Sequence, residues 1–185
     1  NINTHWALKF NVYQGKIASS DEKIKFYKDR NLSFRSPVTE LALQLELNFF
    51  EYLTGSNSMV ITPFIYAGIA YFFFNPQAEY DGKWHDLQPL GTEGQGTAEY
   101  KDRSMYKLSG LAIPFGIGGK YSINKSISIG VEWGMRKTFT DYLDDVSTTY
   151  PDPDILATKR PSIANILSDR TLYPGGTIDN TGMQR

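Results

Sequence analysis

The chain has 185 residues, 41% of them hydrophobic and 21% charged, with a net charge of -1 and no cysteine. A near-neutral chain without a basic stripe offers nucleic acid no electrostatic footprint, and the absence of thiols removes disulfides, thiolate metal sites and cysteine nucleophiles together. No run of 18 apolar residues is present, so a transmembrane helix is excluded. A membrane-spanning strand puts only every second residue into lipid and escapes that test.

Five segments alternate between apolar and polar or small residues, the period of a β-strand. In the first, 5-17, Trp6, Leu8, Phe10 and Val12 oppose Ala7, Lys9, Asn11 and Tyr13. A polar connection, 18-37, leads to 38-52, where Leu41, Leu43, Leu45, Leu47 and Phe49 oppose Glu40, Ala42, Gln44, Glu46 and Asn48. After the short link 53-59, the segment 60-74 is apolar on both faces, Ile65, Ile69, Tyr71 and Phe73 alternating with Phe64, Tyr66, Ala70 and Phe72, and it fits the pattern least well. The long connection 75-105 precedes 106-121, where Leu111, Ile113, Phe115 and Ile117 oppose Ala112, Pro114, Gly116, Gly118 and Lys120. The short link 122-126 leads to 127-139, where Ile127, Ile129, Val131, Trp133 and Met135 oppose Ser128, Gly130, Glu132, Gly134 and Arg136, and 140-185 is again long and polar.

Every second connection is thus short, which is how transmembrane barrels are built, with tight turns on the periplasmic side and long excursions outside. A soluble sandwich also alternates but turns its apolar rows inward. Here the face opposite those rows is mostly Gly, Ala and Ser with a few charges. Gly and Ala are depleted from wet strand faces and suit the narrow interior of a barrel of roughly eight strands. The expected fold is therefore all-β, an antiparallel up-and-down transmembrane β-barrel forming a single domain over 1-185, with 18-37, 75-105 and 140-185 as outer loops. Two aromatic girdles are expected, Trp6, Phe49, Tyr52 and Tyr121 near the short turns and Tyr71, Phe73, Tyr106, Phe139 and Tyr142 near the long loops. Five strands leave open edges that lipid does not tolerate, so further strands, two before Asn1 and one after Arg185, are expected to complete eight.

The inward charges Lys9, Glu40, Glu46, Lys120, Glu132 and Arg136 are expected to form an ionic network that plugs the lumen, with Glu46 or Glu132 paired to Arg136, Lys9 or Lys120. No nucleophile or positioned histidine accompanies these carboxylates, so enzymatic use is not expected. His5 and His85 are too dispersed for a zinc site or a triad. Asp141, Asp144, Asp145, Asp152 and Asp154 read as a solvated acidic loop in preference to a calcium site, because their spacing does not match a calcium-binding loop. Gly91, Gly94 and Gly96 read as turn formers, and Pro161 with Ile163, Ile166 and Leu167 predicts a short helix over 161-169, outside the barrel.

The stretches LQLELNFF, YAGIAYFFFNP, LQPLGTEGQG and ISIGVEWGMRKTFTDYLDDVSTTYPDP resemble the PorG-type outer-membrane β-barrel family of the type IX secretion system, and the resemblance runs over residues 3-185. It implies an eight-stranded outer-membrane barrel associated with a ring of a PorK-like lipoprotein and a PorN-like periplasmic subunit, in an apparatus that exports proteins and can support gliding motility. Strands one, two and eight of that family have no counterpart in this sequence, and no catalytic residues carry over. The expected role is a non-enzymatic component in contact with outer-membrane lipid, anchoring the periplasmic ring through the short turns, with Thr54, Asn57, Ser58, Ser122, Asn124 and Lys125 as candidate contacts. No cofactor, metal, nucleic acid or small-molecule substrate is expected. The alternative is a small passive pore or a surface adhesin.

Overall fold

The computed structural model describes residues 2-21, 31-53, 56, 58, 60-171 and 180-185. Among them run β1 (Trp6–Ser20), β2 (Ser33–Asn48), β3 (Ile61–Phe74), β4 (Gln77–Tyr80), β5 (Lys83–Asp86), β6 (Ser109–Ser122) and β7 (Ser128–Thr138), then the helices α1 (Pro153–Lys159) and α2 (Ser162–Ser168). The strands form one sheet in the order β5-β4-β2-β3-β6-β7, with β1 paired to β2. The described ladders, β2 with β4, β4 with β5 and β6 with β7, are antiparallel. The protein is all-β in its main architecture, as the alternation requires, and the five long strands lie on the five alternating segments.

The boundaries differ where alternation is a poor guide. β1 and β2 extend into what reads as the 18-37 loop, and 75-105 holds a hairpin. In that hairpin Tyr80 pairs with Lys83 across Asp81 and Gly82. Both turn residues have positive φ, 51° and 70°, the geometry of a two-residue primed turn, for which Asp-Gly is a strong local signal. α2 fills the expected helix. α1 was not read from the sequence, although Asp152 caps it by accepting from the Asp154 N–H at 2.8 Å and Pro153 opens its first turn.

The chain divides into two compact units, one of residues 1-14, 39-72 and 109-139, the other of residues 15-38, 73-108 and 140-185. In the first unit the strand faces are inverted relative to a water-soluble sheet. Leu8, Phe10, Val12, Leu41, Leu43, Leu45, Ile65, Ile69, Leu111, Ile113, Ile117, Ile129, Val131, Trp133 and Met135 are exposed, whereas Glu40, Gln44, Glu46, Asn48 and Thr62 are buried. The second unit has a small conventional core, Leu87 and Leu167 packing with Ala78 and flanked by Leu90 and Ile163.

The two-sided apolarity of β3 has a packing reason. Its inward residues Phe64, Tyr66, Ala70 and Phe72 are buried, and three of these rings face glycines on β6 and β7. A Cβ at Gly118 would stand 2.7 Å from Phe64 Cε1, one at Gly134 2.9 Å from Tyr66 Cζ, and one at Gly110 3.3 Å from Phe72. Large rings on one strand occupy the space that missing side chains leave on its neighbours, which is how an interior reaches close packing. Overpacking such a contact costs about 1-3 kcal/mol. Gly134→Ala should therefore destabilise the protein by about that much, and the loss should shrink in a Tyr66→Leu background. A double-mutant cycle by denaturant titration measures the coupling.

Candidate functional site

The inward charges of the first unit converge. Lys9 on β1 stands 2.8 Å from a Glu132 oxygen on β7 and 3.5 Å from Glu46 on β2, and Lys120 on β6 bonds the other Glu46 oxygen. The Arg136 Nε on β7 donates to both Glu40 oxygens on β2, at 3.0 and 3.2 Å. Asn11 Nδ2 donates to Gln44 Oε1 at 2.9 Å between the two groups. All six sequence-predicted charges are thus ion-paired, although Arg136 pairs with Glu40 and not with Glu46 or Glu132.

These contacts require curvature within the unit. β1 and β7 are separated by four strand-to-strand steps in the order β1-β2-β3-β6-β7, ~19 Å across a flat sheet at the usual spacing. Lys9 and Glu132 nevertheless touch, so the sheet of this unit curls with its polar face concave. Glu46 is fully buried and would be costly alone. Two ammonium groups share it, and both also lie over aromatic rings. Lys9 Nζ is 4.5 Å from the Tyr66 centroid and 5.1 Å from that of Phe64, and Lys120 Nζ is 4.8 Å from that of Phe64. Phe64 thereby faces both lysines.

The proposed turn contacts divide. Thr54 and Asn57 lie outside the described residues. Ser58 is exposed, its N–H donating to Ser56 Oγ at 3.2 Å. Asn124 folds its own turn, its Oδ1 accepting from Ser126 N at 2.8 Å and Ile127 N at 2.9 Å, and Lys125 beside it is exposed. Ser122 is no turn contact. It ends β6 on the inner face, 3% exposed, with its hydroxyl 2.9 Å from both Tyr52 and Ser128.

The aromatics expected in girdles divide between exposed and inward-turned rings. Trp6, Phe49, Tyr121, Tyr71, Phe73 and Phe139 are exposed. Tyr52 turns inward to Ser122. Tyr106 is buried and stacked, its ring 6.3 Å from Phe74 and 4.4 Å from Tyr142.

Sequence reasoning missed the polar heart of the second unit. Asp145, expected in a solvated acidic loop, is completely buried. It accepts from Tyr106 Oη at 2.6 Å and from Thr92 Oγ1, and Arg185 Nη1 lies 3.4 Å away. Glu93, equally buried, accepts from the N–H groups of Ser147 and Thr148 at 3.0 and 3.1 Å and from the Thr148 hydroxyl at 2.7 Å. Gly91, Gly94 and Gly96 have φ of 59°, 79° and 70°, the turns expected of them, and these aim the intervening Thr92, Glu93 and Gln95 inward. Burial raises the Asp145 carboxyl above its ordinary value, opposed by Arg185 and the two hydroxyl donors, and burial next to Asp145 drives the Tyr106 phenol up as well. The signal available in the sequence was the run of residues tolerant of left-handed backbone, for Asp145 itself has φ of 65°.

Among the described residues no group of His, Asp and Glu is arranged to hold a metal, and no helix is long and apolar enough to cross a membrane. His5 hydrogen-bonds Thr4 Oγ1 at 3.2 Å, and His85 lies on the β4-β5 hairpin opposite Ala78.

Fold and site together define an antiparallel β-protein with one inside-out unit, its ion pairs inward and its aliphatic rows outward. The chain belongs to the family described as Domain of unknown function (DUF6089), whose model matches residues 1-178. No curated protein and no solved structure matches it.

Two outcomes follow from the buried charges. Glu46→Gln leaves Lys9 and Lys120 without their shared anion and should cost about 3-5 kcal/mol, read as a fall in the denaturation midpoint, while Lys137→Gln on the outer face should cost far less. Asp145→Ala removes the acceptor of the buried Tyr106 hydroxyl and one of the two carboxylates that face Arg185, Glu93 remaining 3.7 Å away, and should lower stability by about 1-3 kcal/mol. Because the folded state raises the Asp145 pKa, the stability its protonation contributes is present in acid and is lost as pH rises through that raised value. The stability difference between the native protein and the Asp145→Ala variant should accordingly be largest below it.

Proposed function

We propose that this chain is the wall of an outer-membrane β-barrel that serves, without catalysis, as a component of the type IX protein secretion and gliding machinery, anchoring the periplasmic lipoprotein ring to the outer membrane. The observation that carries the membrane part is the exposed apolar face of the first unit, on β1, β2, β3, β6 and β7 together. Removing one Leu, Ile or Phe side chain from water is worth about 1.5-3 kcal/mol, and soluble monomers rarely expose contiguous patches beyond a few hundred Å². Acyl chains are the solvent that suits such a face, and the ion pairs on the opposite face are then sheltered in the lumen. The secretion part rests on the resemblance of the four stretches quoted above.

The reading makes structural demands. β1 and β7 are edge strands of the first unit, and in hydrocarbon each unpaired backbone group costs several kcal/mol, so the reading requires both edges to be paired within the membrane. The lumen is plugged, because Lys9, Lys120 and Arg136 balance Glu40, Glu46 and Glu132 and the β3 rings fill the space beside the glycines. Planar-bilayer recording should therefore show no sustained conductance from the native protein. A steady current abolished by Glu132→Gln would turn the assignment to the pore.

Orientation is tested by charge placement. Leu43→Arg, on the exposed face, should destabilise the protein folded into phospholipid vesicles by about 2-4 kcal/mol. An equal or smaller effect in bilayer than in water would reject the lipid-facing wall. Anchoring is tested in cells with a photo-crosslinker at Asn124 or Lys125. Capture of a ring subunit is expected, and its failure alongside normal insertion would leave the barrel without this attachment.

A further inference from the structure

Residues 180-185 run beside 148-150 as a short antiparallel strip. The Tyr150 N–H donates to the Met183 carbonyl and the Gly182 N–H to the Tyr150 carbonyl, both at 2.9 Å. The Arg185 N–H donates to the Thr148 carbonyl at 3.1 Å, and Thr149 is bridged to Gln184. Side chains are buried at the two ends of the strip. Asn180 Nδ2 donates to Asp169 Oδ2 at 2.7 Å, and the Arg185 side chain is 2% exposed. Residues 181-184 between them are exposed, including Met183, the one apolar side chain of the strip. The strip thus adds nothing to an apolar core. It is held as one polypeptide is held on another, by main-chain bonds along an edge and by anchors in pockets.

The socket under Arg185 is built of acceptors. Its Nε donates to the Ser168 carbonyl at 3.1 Å and its Nη2 to the Leu167 carbonyl at 3.2 Å. Both carbonyls end α2, where a helix leaves them without an internal partner. Nη1 donates to Thr92 Oγ1 at 2.6 Å and to the Asp145 carbonyl at 2.9 Å, with Asp145 Oδ2 at 3.4 Å and Glu93 Oε1 at 3.7 Å. Among the described residues no other cation pairs with either carboxylate. These acceptors face all three guanidinium nitrogens, so a planar fork reaches them together and a point-like ammonium does not. Two buried carboxylates repel an anion from the same place. Shape and charge therefore both select arginine.

We propose that 180-185 is a strap lying in a binding site for an arginine-bearing extended polypeptide, and that such a polypeptide replaces the strap by pairing with 148-150 and placing its own arginine in the socket. A strap in the same chain competes at an effective concentration of about 1 mM, so it keeps the socket filled until a better segment arrives. Every contact belongs to the second unit, and the inference stands apart from the membrane assignment.

The test uses the full chain in detergent and a fluorescent, C-terminally amidated peptide with the sequence of residues 180-185, followed by anisotropy. The Arg185→Ala chain, its socket empty, should bind the peptide saturably, and the native chain should bind it at least tenfold more weakly. Lysine in place of the peptide's arginine should cost at least tenfold. Ethylguanidinium should compete only at a concentration at least a hundredfold above that of the unlabelled peptide, because it lacks the main-chain bonds. No saturable binding to a folded Arg185→Ala chain, equal binding by the two chains, or equal binding of the lysine peptide would overturn the proposal, and ethylguanidinium as potent as the peptide would reject a polypeptide guest. Circular dichroism reports whether the variant is folded. If it is not, hydrogen exchange of the native chain decides: the Tyr150, Gly182 and Arg185 amides should exchange together and at least tenfold faster than the β6-β7 ladder. Exchange only at the rate of that ladder would show a strap that never leaves, and would overturn the proposal.

Discussion

Glu46 sits fully buried on the inner face of β2 and is shared by Lys9 and Lys120 from strands on either side of it. A carboxylate without those cations would not remain there, since the cost of an unpaired buried charge exceeds what neighbouring contacts return. With Glu46 fixed inward, the period of two decides the rest of its strand. Leu41, Leu43 and Leu45 must point outward, and a one-residue slip would send them into the ion pairs and the glutamates into the apolar face. The same contacts bend the sheet, because Lys9 meets Glu132 only if β1 and β7 approach across the concave side. Register, curvature and the inverted faces of the first unit therefore share one electrostatic cause.

Packing reinforces that cause. Phe64 lies against both lysines and also fills the space beside Gly118. A side chain at Gly118 would push on the ring that flanks the ammonium groups, so the glycine row and the charge cluster are one assembly. This interlock explains why β3 alone carries large apolar residues on both faces. Its outward residues belong to the exposed belt, and its inward rings replace side chains that β6 and β7 do not have.

The long strands were legible because alternation is a local property, and LQLELNFF or ISIGVEWGMR displays it within a few residues. The charged members of the inner face were legible for the same reason, since parity alone puts Lys9, Glu46 and Arg136 opposite the leucines and isoleucines. Which charge meets which was not, and Arg136 reaching Glu40 depends on strand order and curl. The second unit was nearly opaque. Asp145 reads as one more acid in a polar loop, yet its partners Thr92 and Tyr106 lie 53 and 39 residues away, and no periodic signature links such positions. Tyr52 and Tyr106 misled for a related reason. Proximity to a strand end says nothing about which way a ring turns, and each has a hydroxyl partner waiting inside, Ser122 and Asp145 respectively.

The two units thus satisfy their polar groups by opposite arrangements. The second follows the rule for proteins in water, with Leu156, Leu167 and Ala164 buried and its interior carboxylates Glu93 and Asp145 saturated by backbone N–H groups, hydroxyls and Arg185. The first reverses that rule, leaving its aliphatic rows without protein cover while spending its hydrogen bonds and ion pairs inside. On the membrane proposal, one chain with both arrangements is suited to two solvents, with acyl chains against the exposed rows of the first unit. On the membrane proposal, an inner face crowded with rings and balanced charges leaves an ion little room. On the anchoring proposal, the useful surfaces of the barrel are then its outer wall and its turns, while the interior holds the wall in shape.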